Sequence, residues 1–188
     1  MPPMARRRER SGGAGGSWGR LVLASASPRR KEILSAAGIE FDVDASDVEP
    51  ELDEQRAVDP VEFARGAAVA KALDVASRHE GRLVVGADTV VAVGGAVLGK
   101  PTDEADAAEM LSLLSGRENQ VTTAFAVAML RGGHVELLAV DHETSSVMFK
   151  AIPPLQIAEY VRTGEPLDKA GAYAVQGLGA ELIERVEG

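Results

Sequence analysis

Apolar and polar positions change period several times along this chain, and each change predicts an element. Positions 21–24 form a short apolar run, and 25–27 are small residues, which together predict a strand and a tight turn. Pro28 suits the first position of a helix with Ser27 as its cap, and Gly38 supplies a C-terminal stop. Ile39, Phe41 and Val43 then alternate with Glu40, Asp42 and Asp44, the period of a half-buried strand. After an acidic, irregular stretch, Pro60 opens an alanine-rich helix of about five turns. That helix carries Val69, Leu73 and Ala76 on one side and ends near Gly81.

The second half is richer in strands. Positions 83–87 are apolar and end in Asp88 and Thr89; strand character resumes at 90–93 and turns back at Gly94-Gly95. Positions 96–98 lead into Gly99-Lys100-Pro101, and Thr102, Asp103 and Glu104 start a helix with acids at the favourable end. Met110, Leu111, Leu113 and Leu114 form its buried face, and Gly116 ends it. Runs at 120–130 and 135–140 predict strands joined at Gly132-Gly133, with 146–149 continuing the strand region. A helix over 154–162 is closed by Gly164, residues 165–177 form a polar loop, and 181–186 give a last strand. Interleaved strands and helices with one antiparallel pair predict an α/β fold on a mixed sheet.

At 188 residues the chain suits one domain. Residues 1–19 are rich in Pro, Arg, Gly and Ser and predict a disordered basic tail, which leaves 20–188 as the folded domain. Cysteine is absent, excluding disulfides, thiolate metal sites and cysteine nucleophiles, and the three histidines stand at no metal-ligand spacing. Acidic residues outnumber Lys and Arg 29 to 20, a balance that argues against a nucleic-acid groove but leaves room for a small polyanion in a basic pocket. No apolar run has membrane-spanning length, and the apolar core after the arginine-rich start is too short for a signal peptide. The expectation is a soluble cytoplasmic protein.

Charge placement then singles out candidate chemistry. Arg29, Arg30 and Lys31 occupy the first turn of a helix, where the dipole and free N–H groups already present positive charge. With the small residues Ser25 and Ser27 beside them, they suit a phosphate; the alternative is an ordinary turn with surface arginines. Asp88, at the end of an apolar strand, either activates water or holds a cation, or else bonds nearby backbone. Lys100 sits on a stiff turn, and Lys71, alone in an alanine-rich helix, is expected on the solvated face. Asp168, Lys169, Tyr173 and Gln176 share one polar loop. Cations and carboxylates in one acidic protein suit a metal-bound polyphosphate.

Five motifs occur in a recognisable order: LVLASASPRRKEIL, VVGADTVV, LGKP, LSGRENQV and EPLDKAGAYAVQGLGAELIE. Together they resemble the Maf family of nucleoside triphosphate pyrophosphatases, first associated with septum formation, from Leu21 onward. The resemblance implies a two-lobed mixed twisted sheet flanked by helices around a central cleft, similar to inosine triphosphate pyrophosphatases. It implies hydrolysis of a nucleoside triphosphate to monophosphate and pyrophosphate with Mg²⁺ or Mn²⁺, and it admits a homodimer. Asp88 matches the family's proton acceptor, and Arg29, Thr89 and Gln176 match the positions associated with substrate choice. Members acting on 7-methyl-GTP hold tryptophan, glutamine and glutamate there, so the set found here resembles the dTTP/UTP branch. Ser25, Arg30, Glu49, Lys71, Lys100, Asp168 and Lys169 match other cleft positions. Asp88 and Glu49 are the implied metal ligands, and Arg30, Lys71 and Lys100 the implied phosphate partners.

Two departures accompany the match. Asn119 and Ala124 stand where the family usually has histidine and glycine, and members continue with a segment of the type NVVGLP, which implies a shortened end with an exposed edge strand. Alternative readings are a purine or 7-methyl-GTP pyrophosphatase, or a weakly catalytic nucleotide-binding regulator of septum formation. No G-x-x-x-x-G-K-[ST] loop supports a kinase.

Overall fold

The computed structural model describes residues 20–50 and 59–188, so the expected basic tail and most of the acidic stretch lie outside the described residues. In chain order the elements are β1 (Leu21–Leu23), α1 (Pro28–Ala36), β2 (Phe41–Val43), α2 (Pro60–Ala76), β3 (Leu83–Val93) and β4 (Ala96–Leu98). There follow α3 (Glu104–Leu114), β5 (Glu118–Arg131), β6 (His134–Phe149) and α4 (Pro154–Arg162). Three short 3-10 turns, Glu165–Asp168, Ala170–Ala172 and Gly177–Leu182, precede β7 (Ile183–Glu187). No helix among the described residues is long and apolar enough to cross a membrane.

All seven strands join one mixed sheet in the order β2-β1-β3-β5-β6-β7, with β4 also on β3. β1 pairs in parallel with β2 and β3; the remaining pairs are antiparallel. Two strands are longer than the residue pattern predicts. β3 runs unbroken through Asp88 and Thr89, because β5 pairs with it from Leu83 to Ala92. Likewise β6 is continuous from His134 to Phe149, its polar middle held in the ladder by β5. The last strand starts at Ile183 because residues before it are wound in a 3-10 turn.

Two cores cover opposite faces of this sheet. Val84 and Val90 of β3 join Ala124, Ala126 and Ala128 of β5 beneath α2, which contributes Ala64, Ala68, Ala72, Val75 and Ala76. Val91 and Val93 face the other way, into a cluster with Leu111, Leu114, Phe149, Ile157, Tyr160 and Tyr173. Of the side that carries Val69, Leu73 and Ala76, only Ala76 is fully buried; Val69 and Leu73 are half-buried against the core, and it is the small residues of α2 that meet the sheet. Gly86 explains why. A Cβ there would lie 2.4 Å from the carbonyl oxygen of Ala68, so helix backbone rests almost directly on strand backbone.

This close seat also buries Lys71, which was expected in solvent and is 7% exposed. A second consequence concerns the sheet edge. Beside β3, β1 pairs at Val84 and Val85 and β4 at Val91 to Val93. Between them, Gly86 to Val90 have no partner strand on that side among the described residues. The sheet therefore carries a notch, and Asp88 and Thr89 form its floor.

Candidate active site

The lower wall of the notch is the turn from β1 into α1. Ser27 occupies the N-cap position, yet its side chain makes no capping bond; its own N–H donates to Ser25 Oγ at 3.3 Å, which tightens the turn and leaves the free N–H groups of the helix start uncapped by a side chain. The same oxygen accepts from Arg30 Nη1 at 2.9 Å. Arg30 Nη2 lies 3.5 Å from Thr89 Oγ1, which in turn is 3.0 Å from Thr123 Oγ1 across the β3–β5 ladder. The three first-turn cations are thus not equivalent. Arg30 is folded into the notch, where burial lowers its pKa and the charges of Asp88 and Glu49 raise it. Arg29 is exposed, and its side chain has no bond among the described residues.

Above the floor stands a chain of alternating charges. Asp88 shares the face of Gly86 and Val90, under α2. Lys71 Nζ, delivered by that helix, donates to Asp88 Oδ1 at 2.6 Å and to Glu49 Oε2 at 3.1 Å. Lys100 Nζ, from the turn after β4, donates to Glu49 Oε1 at 3.2 Å. Lys71 and Asp88 are 9% and 17% exposed at the side chain, whereas Glu49 and Lys100 are 66% and 58% exposed. The pair at the bottom is therefore fixed, and the pair at the rim meets solvent. Partial burial raises the Glu49 pKa, but the hydrogen bonds and charges of Lys71 and Lys100 outweigh it and hold the carboxyl below its ordinary value.

The loop of residues 165–177 closes the upper side. Gly171 N–H donates to the Gly99 carbonyl at 2.9 Å, tying this loop to the turn that carries Lys100. Gly171 has φ +66°, and a Cβ there would sit 2.9 Å from Val91 Cγ2, so only glycine lies flat on β3 at this point. Tyr173 anchors the loop from below. Its hydroxyl donates to Asn119 Oδ1 at 2.8 Å, Asn119 Nδ2 donates to the Val147 carbonyl at 2.9 Å, and its ring meets Phe149 edge-on. Both functions of the buried Asn119 amide are used.

Within this frame Ser25, Arg30, Glu49, Lys71, Asp88, Thr89 and Lys100 converge on the notch. Asp168 and Lys169 pair with each other and make no side-chain bond to that cluster among the described residues. Gln176, like Arg29, is exposed and has no side-chain bond there. Asp88 lies in mid-strand rather than at a strand end; its crevice is the end of the parallel β1 pairing. Thr123 escaped sequence reasoning because only the β3–β5 register places it on Thr89. Two carboxylates, Asp88 and Glu49, are the acids of the cluster, and no group of three or more His, Asp or Glu side chains gathers as an ion site among the described residues.

Comparison with known proteins gives the family. The chain is 49% identical over 170 residues to a dTTP/UTP pyrophosphatase of Geobacter sulfurreducens, covering 90% of this chain and 86% of the relative. A dTTP/UTP pyrophosphatase of Aquifex aeolicus is 44% identical over 169 residues, covering 90% and 85%. Among solved structures, a HAM1 protein from Coxiella burnetii is similar with a TM-score of 0.48 and 17% identity, over 87% of this chain and 79% of that one. Residues 20–188 match the family described as Maf-like protein, and with relatives this similar over nine-tenths of its length the chain belongs to that family.

Proposed function

We propose that this chain hydrolyses nucleoside triphosphates, with dTTP and UTP as preferred substrates, to the nucleoside monophosphate and pyrophosphate. The observation that carries the reading is the charge chain Lys100–Glu49–Lys71–Asp88 beside Arg30 in a notch of the sheet. The names of the Geobacter and Aquifex relatives support the substrate.

In this reading the triphosphate lies between α1 and the Lys100 turn. Arg30, Lys71 and Lys100 meet its phosphates, with Ser25 and Ser27 lining the same turn. Water attacks the α-phosphorus, the bond from that phosphorus to the bridging oxygen breaks, and pyrophosphate leaves. Asp88 accepts the water's proton. Its Oδ1 is held by Lys71, so the carboxylate is aimed before substrate arrives. Charge growing on the leaving group is offset by cations already in place, which need no reorganisation during the reaction. Arg29, Thr89 and Gln176 select the base; Gln176 offers a donor and an acceptor, which suits the mixed edge of a pyrimidine. Asp168 and Lys169 form the neighbouring rim.

Asp88 and Glu49 also fit a divalent cation, Mg²⁺ or Mn²⁺. Magnesium commonly takes one or two carboxylates and completes its shell with water and substrate phosphates, and two carboxylates are what the notch supplies. When bound, such an ion neutralises phosphate charge. The deciding experiment measures pyrophosphate release from UTP, dTTP, ITP and 7-methyl-GTP, with and without metal. Pyrophosphate is expected, fastest from UTP and dTTP. Orthophosphate as the first product, or no product after long incubation with metal, would overturn the assignment.

A further inference from the structure

The turn bearing Gln176 is wrapped around one carboxylate. Glu165 Oε1 accepts from the Gly179 N–H at 2.9 Å and from the Tyr160 hydroxyl at 3.0 Å, and Oε2 accepts from the Leu178 N–H at 3.1 Å. Tyr160 is a buried residue of α4, packed in the cluster that also holds Leu111 and Leu114 of α3, so the carboxylate is tied to that core. The backbone of Ala174 also faces the Tyr160 hydroxyl, so this tyrosine–glutamate pair meets the turn on both sides of Gln176. Space confirms the fit from the other direction. A Cβ on Gly177 would come within 2.8 Å of Glu165 Oε2, and one on Gly179 within 2.6 Å of both the Tyr160 hydroxyl and the Ala174 carbonyl. Burial raises the Glu165 pKa, but the two backbone N–H groups and the tyrosine hydroxyl outweigh it, so the acceptor stays ionised at neutral pH.

We infer that Glu165, supported by Tyr160, is a positioning residue for base selection: it holds the turn from Ala174 to Gly179 so that Gln176 presents its amide to the nucleobase. This rests on Gln176 selecting the base, as proposed above. Glu165 touches neither phosphate nor water in this scheme and acts only through the turn. Among the described residues the Gln176 side chain has no hydrogen-bond partner, so its setting comes from a neighbour. The carboxylate is suited to that task, because two backbone donors converge on it and ionised acceptors bond such donors strongly.

The test is a double-mutant cycle on selectivity, read as kcat/KM for UTP divided by kcat/KM for ITP. Gln176→Ala is expected to lower this ratio, and Glu165→Ala to lower it by about tenfold, the scale of one or two lost hydrogen bonds. The double variant should be no less selective than Gln176→Ala alone, since both remove the same contact. Glu165→Gln keeps one acceptor oxygen and should fall between wild type and Glu165→Ala; it carries the test if the alanine variant fails to fold. Tyr160→Phe should shift the ratio in the same direction. An unchanged ratio in the Glu165 variants, or an additive loss on top of Gln176→Ala, overturns the inference while leaving the base reading in place. An unchanged ratio in Gln176→Ala itself removes the base reading and this inference together.

Discussion

A lysine between two carboxylates decides what single substitutions do at the floor of the notch. Asp88→Asn keeps the shape and still accepts from Lys71 through its amide oxygen, but it cannot take a proton from water. Turnover should therefore fall roughly 100- to 10,000-fold, the usual contribution of a positioned base. Nucleotide affinity, set by Arg30, Lys71 and Lys100, should stay within a few-fold of wild type in a direct binding titration. An unchanged turnover number would remove Asp88 from the chemistry. Asn119 is the opposite kind of residue, polar but remote from the reacting atoms. Asn119→Leu removes the partner of the buried Tyr173 hydroxyl, while the Val147 carbonyl keeps its place in the β5–β6 ladder. One unsatisfied group predicts a loss of about 1–3 kcal/mol in urea unfolding. Asn119→His should lose less, because a neutral imidazole can still donate to one group and accept from the other.

Among the elements, α2 and β3 carry the link from packing to chemistry. Gly86→Val would drive a side chain into the Ala68 carbonyl and the Ala72 backbone, neither of which can rotate away. Overpacking of this kind costs about 3 kcal/mol or more. Because the helix must lift, Lys71 leaves Asp88, and turnover should drop alongside stability; a destabilised variant with wild-type turnover would separate the two. These elements also show where sequence reasoning succeeds and stops. The order of strands and helices was legible from period and turn residues, and α1 and α4 begin at the prolines that announced them. The continuity of β3 was not legible, because Asp88 and Thr89 look like a strand end. They are polar because they serve the notch, and the ladder with β5 holds their backbone extended regardless. Lys71 misled for a related reason. Its alanine neighbours look like a solvent-tolerant helix, but small residues facing Gly86 are what allow the close seat that buries it. The bond from Gly171 to Gly99 joins distant parts of the chain, and no local pattern announces it.

For the molecule as a whole, acid is the informative perturbation. The chain carries a formal charge of −9 at pH 7, so mild acidification first relieves self-repulsion. Against this stands the clamp between the end of β2 and the end of α2. Asp44 accepts from Arg78 at 2.8 and 3.1 Å and lies 2.7 Å from His79 Nε2, while Asp74 accepts from Ser46 at 2.7 Å. The hydrogen bond from Arg78, and then that from His79, lower the Asp44 pKa from 3.8 to about 2. A depressed carboxylate contributes its full stabilisation above its unfolded pKa and loses it as pH falls through the folded value. The clamp therefore weakens between about pH 4 and pH 2. Arg78 is 41% exposed, so solvent screening limits the contribution to about 1 kcal/mol. Asp44→Asn should be less stable than wild type by that amount at pH 7 in urea unfolding, and the two curves should converge toward pH 2. A gap that stays constant across this range would show that the loss is packing rather than charge. The effect reaches the site because Asp44 and Ser46 lie just before Glu49 in the chain. Asp44→Asn should accordingly lower turnover at neutral pH in proportion to the loosened hold on Glu49, with a larger loss in Asp44→Asn/Ser46→Ala, where both straps are cut.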